Sequence, residues 1–290
     1  MRAPIQRVAA VHDLSGFGKS SLTMIIPILS AMGIQVCPLP TAVLSTQTGE
    51  FEGYKFVDFT DHMEDFIDHW HSLGIKFDCI YTGFLGSPRQ AGIIKKFISN
   101  FHYEGQLVVI DPVMGDDGEL YSSMDNEMVE GMKELIGSAD IITPNMTEAA
   151  FLLDEPCKDK IDKNEIKDWL LRLSAMGPKT VIITSVPAYN SDKWTYVAAY
   201  SKEDGCYWAV RCDYMPVFFP GTGDGFTSVI VGSILQGNSL PVALDRAAQF
   251  ISSAIKLSCG YEYPRREGVL LEKVLDDLKL PLTKYTCEQF

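Results

Sequence analysis

Short apolar runs alternate with longer amphipathic stretches through most of the chain. The runs are largely apolar on successive positions, as in strands covered on both faces, and they lie at 8–11, 34–39, 79–82, 107–110, 141–143 and 181–184. The amphipathic stretches are long enough for helices, and they lie at 19–32, 58–73, 89–101, 125–137 and 164–176. This alternation predicts repeated β-α-β units, and hence an α/β fold with a mostly parallel sheet between helical layers.

The pattern changes in the last third of the chain. Residues 194–201 and 207–211 alternate between apolar and polar positions, which is typical of an antiparallel pair at the edge of a sheet. Two long helices are predicted after them, at 223–236 and 241–258. Because the sequence shows no internal repeat and no linker rich in Pro, Gly or Ser, we expect a single domain over residues 1–290.

Charge and cysteine usage narrow the class of function. The chain has 25 basic and 38 acidic residues, a formal net charge of −13, which argues against a nucleic-acid partner. A protein of this charge that binds phosphates must concentrate positive potential at helix N-termini and backbone N–H groups. The 7 cysteines form no C-x-x-C pair. With no signal-peptide pattern and no long apolar run, the sequence predicts a cytoplasmic protein that does not associate with membranes.

A glycine-rich segment lies where a loop is predicted to become a helix. Gly221-Thr222-Gly223-Asp224-Gly225-Phe226 directly precedes an apolar stretch at 227–235. Glycine lets the backbone approach a phosphate, and the amides of a first helical turn attract an anion. A carboxylate in the same turn could take the proton from an attacking hydroxyl, which makes Asp224 a candidate base. The residues alone also allow a second role, in which Asp224 only caps the helix.

Two acidic segments follow predicted strands. Asp111-Pro112-Val113-Met114-Gly115-Asp116 comes after the run at 107–110, and Thr143-Pro144-Asn145 with Glu148 comes after the run at 141–143. Both lie at carboxyl ends of strands, where α/β sheets place their ligands. Together with Gly-Thr-Gly-Asp, these segments resemble the vitamin-kinase branch of the ribokinase superfamily. That resemblance implies a ribokinase-like three-layer α/β/α sandwich.

Within that branch the chain is most similar to the pyridoxal kinase family. The similarity runs from residue 8 to about residue 257, and the segments at 44–49 and 82–87 resemble that family's substrate loops. It implies ATP-dependent phosphorylation of the 5′-hydroxymethyl group of pyridoxal, pyridoxine or pyridoxamine. It further implies ATP and Mg²⁺ as cofactors, a monovalent cation such as K⁺ near the nucleotide, and a homodimer.

The resemblance also implies roles for individual residues. Asp224 is the expected catalytic base, beside an anion hole formed by the amides of Gly221, Thr222 and Gly223. Asp111 and Glu148 are expected to hold magnesium. The expected ATP-binding residues are Asp111, Asp116, Thr143, Asn145, Glu148, Thr184, Ser185 and Thr222. The expected acceptor-binding residues are His12, Ser45, Thr48, Gly49, Phe84 and Asp224.

Several alternatives stay open at this point. Asp111 could simply end a strand beside Pro112, and Glu148 could stabilise a helix N-terminus. Gly18-Lys19-Ser20 looks like the end of a P-loop, but Asp13 stands where the first glycine of that motif belongs, and its charge would repel a phosphate. We therefore expect this segment to line the acceptor pocket.

That N-terminal segment also bears on the substrate. Val11-His12 departs from the Ser-His of pyridoxal kinases, and the Asp-x-Ser-Gly that follows is similar to hydroxymethylpyrimidine kinases. A hydroxymethylpyrimidine kinase is thus an alternative function. A more distant alternative is a non-catalytic vitamin-binding protein on the same fold.

Overall fold

A computed structural model describes residues 4–191, 193–282 and 284–290. Its strands are β1 (Arg7–Ser15), β2 (Gln35–Leu44), β3 (Phe56–Asp58), β4 (Cys79–Thr82), β5 (Leu107–Ile110), β6 (Gly115–Asp116), β7 (Glu119–Leu120), β8 (Ile141–Ile142), β9 (Thr180–Pro187), β10 (Trp194–Ser201), β11 (Cys206–Asp213) and β12 (Glu288–Gln289). Its α-helices are α1 (Leu22–Ala31), α2 (Thr60–Ser72), α3 (Pro88–Phe101), α4 (Asn126–Ile136), α5 (Met146–Leu153), α6 (Lys163–Ala175), α7 (Thr222–Leu235) and α8 (Leu240–Cys259). Short 3-10 helices follow at Arg265–Glu267, Leu271–Lys273 and Leu275–Lys279.

Ten of these strands form one sheet in the order β12-β11-β10-β9-β8-β5-β4-β1-β2-β3. The six strands from β9 to β2 in this order pair with one another in parallel. The pairings of β10, β11 and β12 are antiparallel, as is that of β3 with β2. The predicted parallel sheet with an antiparallel edge is therefore confirmed. The short strand β3 at the other edge was not predicted, because its three residues are all exposed and carry no burial pattern.

Helices cover both faces of the sheet in two separate apolar cores. One core joins the sheet to α2, α3, α4, α5 and α6, and the other joins it to α1, α7 and α8. Successive residues of β1 alternate between the two cores: Ala9 and Val11 face the first, and Val8 and Ala10 face the second. The three-layer arrangement predicted from the sequence is confirmed.

Helices α1 and α5 differ from the sequence prediction for local reasons. Helix α1 begins at Leu22 rather than at residue 19, because Ser21 before it has a φ of 47°, outside the helical region. Helix α5 was not predicted, since nearly all of its eight residues are buried and it has no polar face. Within the described parts of the chain, helix length and hydropathy together give no candidate for a membrane-crossing segment.

Candidate active site

A cleft of about 300 Å³ opens at the carboxyl ends of the parallel strands. Its walls are formed by the ends of β1, β2 and β9, by the loops after β4, β5 and β8, and by the first turn of α7. The cleft contains these residues from the predicted set: Thr48, Gly49, Phe84, Asp111, Asp116, Thr143, Asn145, Glu148, Thr184, Ser185, Gly221, Thr222, Gly223 and Asp224. Segments far apart in the sequence thus meet at one edge of the sheet.

The first turn of α7 offers backbone amides to the cleft. Gly221 precedes the helix with a φ of 78°, a left-handed conformation that favours glycine. A Cβ at this position would lie 2.1 Å from the carbonyl oxygen of Lys19, so the close approach of the two loops also requires glycine. Among the described residues, no side chain caps this helix end. The N–H groups of the first turn are therefore available to an anion.

Asp224 lies in that same turn and is held by a distant loop. Its Oδ2 accepts a hydrogen bond of 2.8 Å from the backbone N–H of Ser21. Burial raises the pKa of Asp224 to about 7, and the nearby charge of Asp13 acts in the same direction, whereas the hydrogen bond from Ser21 opposes it. A carboxyl group with a pKa near neutrality can both accept and release a proton at physiological pH.

Asp111 and Glu148 form a buried acidic pair in the cleft. Burial and then the charge of Asp224 raise the pKa of Asp111 to about 8. Burial and then the charge of Asp111 raise the pKa of Glu148 well above its usual range. Such carboxyl groups lose their charge unless a cation offsets it. This pair is thus suited to hold a positive ion.

Glu148 also has a structural role that the sequence left open. Its Oε2 accepts from the N–H of Asn145 at 2.8 Å, while the side chain of Asn145 accepts from the N–H of Glu148 at 2.9 Å. This reciprocal pair is a capping box at the start of α5. Its other oxygen, Oε1, accepts from the N–H of Met114 at 3.1 Å. Both carboxylate oxygens are therefore oriented by backbone groups.

The remaining nucleotide-side residues are fixed mainly by backbone contacts. The amide of Asn145 donates to the carbonyl of Gly115 at 2.8 Å, and the hydroxyl of Thr222 donates to the carbonyl of Phe219 at 3.2 Å. Ser185 has a φ of 56° and lies in β9 where its register with β10 shifts, at the cleft. That these residues form a nucleotide site stays a prediction, as do their contacts with ATP.

Two predicted acceptor-binding residues lie outside the cleft lining. Ser45 is exposed, and its hydroxyl accepts from the N–H of Lys55 at 2.8 Å. His12 is fully buried, with its ring centroid 4.4 Å from that of Tyr81. Its Nδ1 lies 3.9 Å from Oδ1 of Asp224, so His12 is a neighbour of the candidate base.

The environment of His12 fixes its charge. Neither ring nitrogen has a hydrogen-bond partner among the described residues. Burial lowers the pKa of His12 to about 3, so the imidazole is neutral near pH 7. Gly83 leaves the space for this ring, because a Cβ there would lie 2.3 Å from Cε1 of His12.

No individual role at the site was predicted for Asp13 or Ser21, although their segment was expected to line the acceptor pocket. Asp13 and Ser21 both line the cleft, and Ser21 holds Asp224 across 203 positions of the chain. In the sequence, Asp13 excluded a P-loop and formed part of the Asp-x-Ser-Gly that is similar to hydroxymethylpyrimidine kinases, but it was given no role at the site. An acidic residue in a segment expected to line the acceptor pocket was the available signal for Asp13, whereas no local pattern could reveal the contact of Ser21.

Comparison with known proteins identifies the relatives of this chain. The phosphomethylpyrimidine kinase family matches residues 26–267. A protein of Bacteroides thetaiotaomicron assigned as a phosphomethylpyrimidine kinase, whose crystal form contains pyridoxal, is 53% identical with a TM-score of 0.96, over 99% of this chain and 100% of that one. The pyridoxal kinase of Lactobacillus plantarum is 30% identical with a TM-score of 0.86, over 95% of this chain and 97% of that one.

A more distant relative extends the comparison to a eukaryote. Pyridoxal kinase of Arabidopsis thaliana is 27% identical over 283 residues, which cover 92% of this chain and 81% of the plant protein. These likenesses confirm the ribokinase-like fold and a pyridoxal kinase-like protein, as the sequence predicted. The family model matches most of this chain, and the chain therefore belongs to the phosphomethylpyrimidine kinase family.

Proposed function

We propose that this protein transfers the γ-phosphate of ATP to the 5′-hydroxymethyl group of a B6 vitamer. One observation carries the proposal: Asp224, with a pKa of about 7, lies in an uncapped first helical turn beside the buried pair Asp111 and Glu148, within one cleft. A base, an anion-binding turn and a cation-binding pair are the parts that phosphoryl transfer to an alcohol needs. The relatives named pyridoxal kinase support the choice of acceptor.

In the proposed reaction the acceptor hydroxyl lies between Asp224 and the γ-phosphate. Asp224 takes the hydroxyl proton while the oxygen attacks phosphorus, and ADP leaves. The amides of Thr222 and Gly223 stabilise the negative charge on the transferred group. Holding both substrates in one cleft supplies the proximity that this transfer requires. No covalent intermediate on the protein is needed.

Magnesium fits the acidic pair. Asp111 and Glu148 supply the oxygen ligands that this ion prefers, and their raised pKa values fall once a cation is present. In the described part of the chain, no group of three or more His, Cys, Asp or Glu side chains could hold a metal alone. The two carboxylates would thus share the ion with phosphates and water, and the ion would neutralise phosphate charge. The monovalent cation and the homodimer stay predictions of the resemblance.

A second candidate function is phosphorylation of a hydroxymethylpyrimidine. The family description and the Bacteroides relative favour it, and so does Asp13, which lines the same cleft as the residues expected to bind the acceptor. An acidic side chain there can accept from an amino group on a pyrimidine. Both candidates use the same fold and the same base, and they differ only in the acceptor.

The test is ATP consumption with magnesium against a panel of pyridine and pyrimidine alcohols. We expect turnover with at least one B6 vitamer and formation of its 5′-phosphate. A preference for the pyrimidine alcohol by a factor of ten or more in kcat/KM would favour the second candidate. Tight binding of pyridoxal without ATP consumption would instead indicate a non-catalytic binding protein.

A further inference from the structure

The acceptor side of the cleft contains a carboxylate that the proposed mechanism does not use. Asp13 lines the cleft and is only 6% exposed. Strand β1 pairs with β2 through His12 opposite Pro40, and the register then shifts so that Leu14 lies opposite Val43. The additional residue belongs to β2, which advances from Pro40 to Val43 while β1 advances only from His12 to Leu14. Asp13 lies beside this irregularity, and its side chain lines the cleft.

The protein offers this carboxylate little positive charge. The hydroxyl of Ser15 donates to its Oδ2 at 2.9 Å, and the side chain of Ser21 also favours its ionised form. None of the described residues lining the cleft is Lys or Arg. Lys19, in the loop after β1, is paired with Glu272. Burial accordingly raises the pKa of Asp13 despite the two hydroxyls.

A buried carboxylate without a cationic partner is destabilising unless a ligand supplies the charge. Asp13 shares its cleft with Thr48, Gly49 and Phe84, which the resemblance assigns to the acceptor ring. The acceptors of the proposed function contain nitrogens that can bind a proton. A hydrogen bond from such a nitrogen to a carboxylate is charge-assisted and strong.

We propose that Asp13 binds a protonated nitrogen of the acceptor and thereby selects acceptors that contain one. This inference rests on the proposed function and specifies its substrate class. The nitrogen has two sources: the ring nitrogen as a pyridinium, present in every B6 vitamer, or the aminomethyl group of pyridoxamine. Asp13 is a specificity-determining residue in either case, whereas Asp224 keeps the role of base.

The experiment compares wild type with Asp13→Asn, which keeps the side-chain shape and removes the charge. We measure kcat/KM for pyridoxal, pyridoxine, pyridoxamine and a carbocyclic analogue of pyridoxine in which C–H replaces the ring nitrogen. The variant should lose about 10-fold or more for acceptors that bind through the protonated nitrogen. The carbocyclic analogue should change by less than about 2-fold. Asp68→Asn, at an exposed position of α2, is the matched control and should behave as wild type.

The outcomes distinguish the two possible sources of the nitrogen. They also distinguish failure of the Asp13 inference from failure of the proposed function. An equal loss for all three vitamers, with the carbocyclic analogue spared, assigns the ring nitrogen, and a loss for pyridoxamine alone assigns the aminomethyl group. An equal loss for the analogue, or no loss for any vitamer, overturns the inference. If wild type phosphorylates none of these compounds, the proposed function has failed.

Calorimetric binding of pyridoxamine and the analogue to wild type and to Asp13→Asn then tests Asp13 independently of turnover. Weaker binding of pyridoxamine alone supports the inference, and equal binding of pyridoxamine by both proteins overturns it. Melting temperatures show that the variants are folded, and Asp13→Ser replaces Asp13→Asn if the latter is not.

Discussion

Replacing Asp224 by Asn should stabilise the folded protein at alkaline pH while abolishing most of its turnover. In the wild type, the N–H of Ser21 donates to Oδ2 of Asp224 at 2.8 Å. Asn has nearly the same shape, and its side-chain carbonyl oxygen can still accept this hydrogen bond. The variant differs in that residue 224 can no longer ionise. The two effects have one origin, because the charge that makes Asp224 a base is also the charge that burial disfavours.

The magnitude follows from the pKa. Burial raises the pKa of Asp224 from 3.8 to about 7. A group whose pKa is raised on folding contributes stability below its unfolded pKa, and that contribution is lost as the pH rises through the folded pKa. At about 1.4 kcal/mol per pH unit, the ionised carboxylate therefore destabilises the folded state above pH 8 by about 4 kcal/mol at most. The Asn variant does not undergo this loss.

The assay is urea unfolding of both proteins between about pH 4 and pH 8.5, followed by circular dichroism. We expect similar free energies of unfolding near pH 4 and an increasing advantage for Asp224→Asn up to pH 8. Turnover should fall on the order of 100-fold or more, with nucleotide binding retained. For wild type, kcat/KM should rise with pH through an apparent pKa near 7. A stability difference that does not depend on pH, or unchanged turnover, would refute the reasoning.

Three further substitutions test other parts of the site. Glu148→Gln should raise the magnesium concentration for half-maximal turnover by about 10-fold, as measured by metal titration, because the buried pair loses one charge. Gly221→Ala should lower the melting temperature and turnover, since its Cβ would lie 2.1 Å from the carbonyl oxygen of Lys19. Gly223→Ala, whose Cβ meets nothing within 4 Å, should keep its melting temperature as a control. His12→Asn should leave the apparent pKa of kcat/KM near 7, because His12 has a pKa of about 3 and is neutral near pH 7. A displaced pH profile of kcat/KM would show that His12 titrates in this range.

The sheet could be predicted from the sequence because its central strands are buried on both faces. Strands β4 and β5 begin and end at the predicted residues, 79–82 and 107–110, where a continuous apolar run has sharp polar ends. The three motif segments follow strand ends or begin a helix, so a parallel sheet necessarily brings them to one edge. The fold and the meeting of these segments in one cleft were therefore both accessible to sequence reasoning.

Other features depend on contacts that no local pattern contains. The buried helix α5 has no polar face, so its periodicity is absent, although Asn145 and Glu148 have the spacing of the capping box that starts it. The hydrogen bond from Ser21 to Asp224 joins loops distant in the sequence. Likewise, the sequence could not show that His12 is enclosed while its neighbour Asp13 reaches the cleft, because this depends on which distant segments pack around the end of β1.

The measurement that tests the central claim most directly is the product of one reaction. Purified protein is incubated with ATP, magnesium and pyridoxal, and the products are identified by phosphorus NMR and mass spectrometry. We predict one ADP and one pyridoxal 5′-phosphate for each ATP consumed, with loss of both in Asp224→Asn. Pyridoxal that binds but is recovered unchanged beside intact ATP would contradict the assignment of this cleft as a phosphotransferase site.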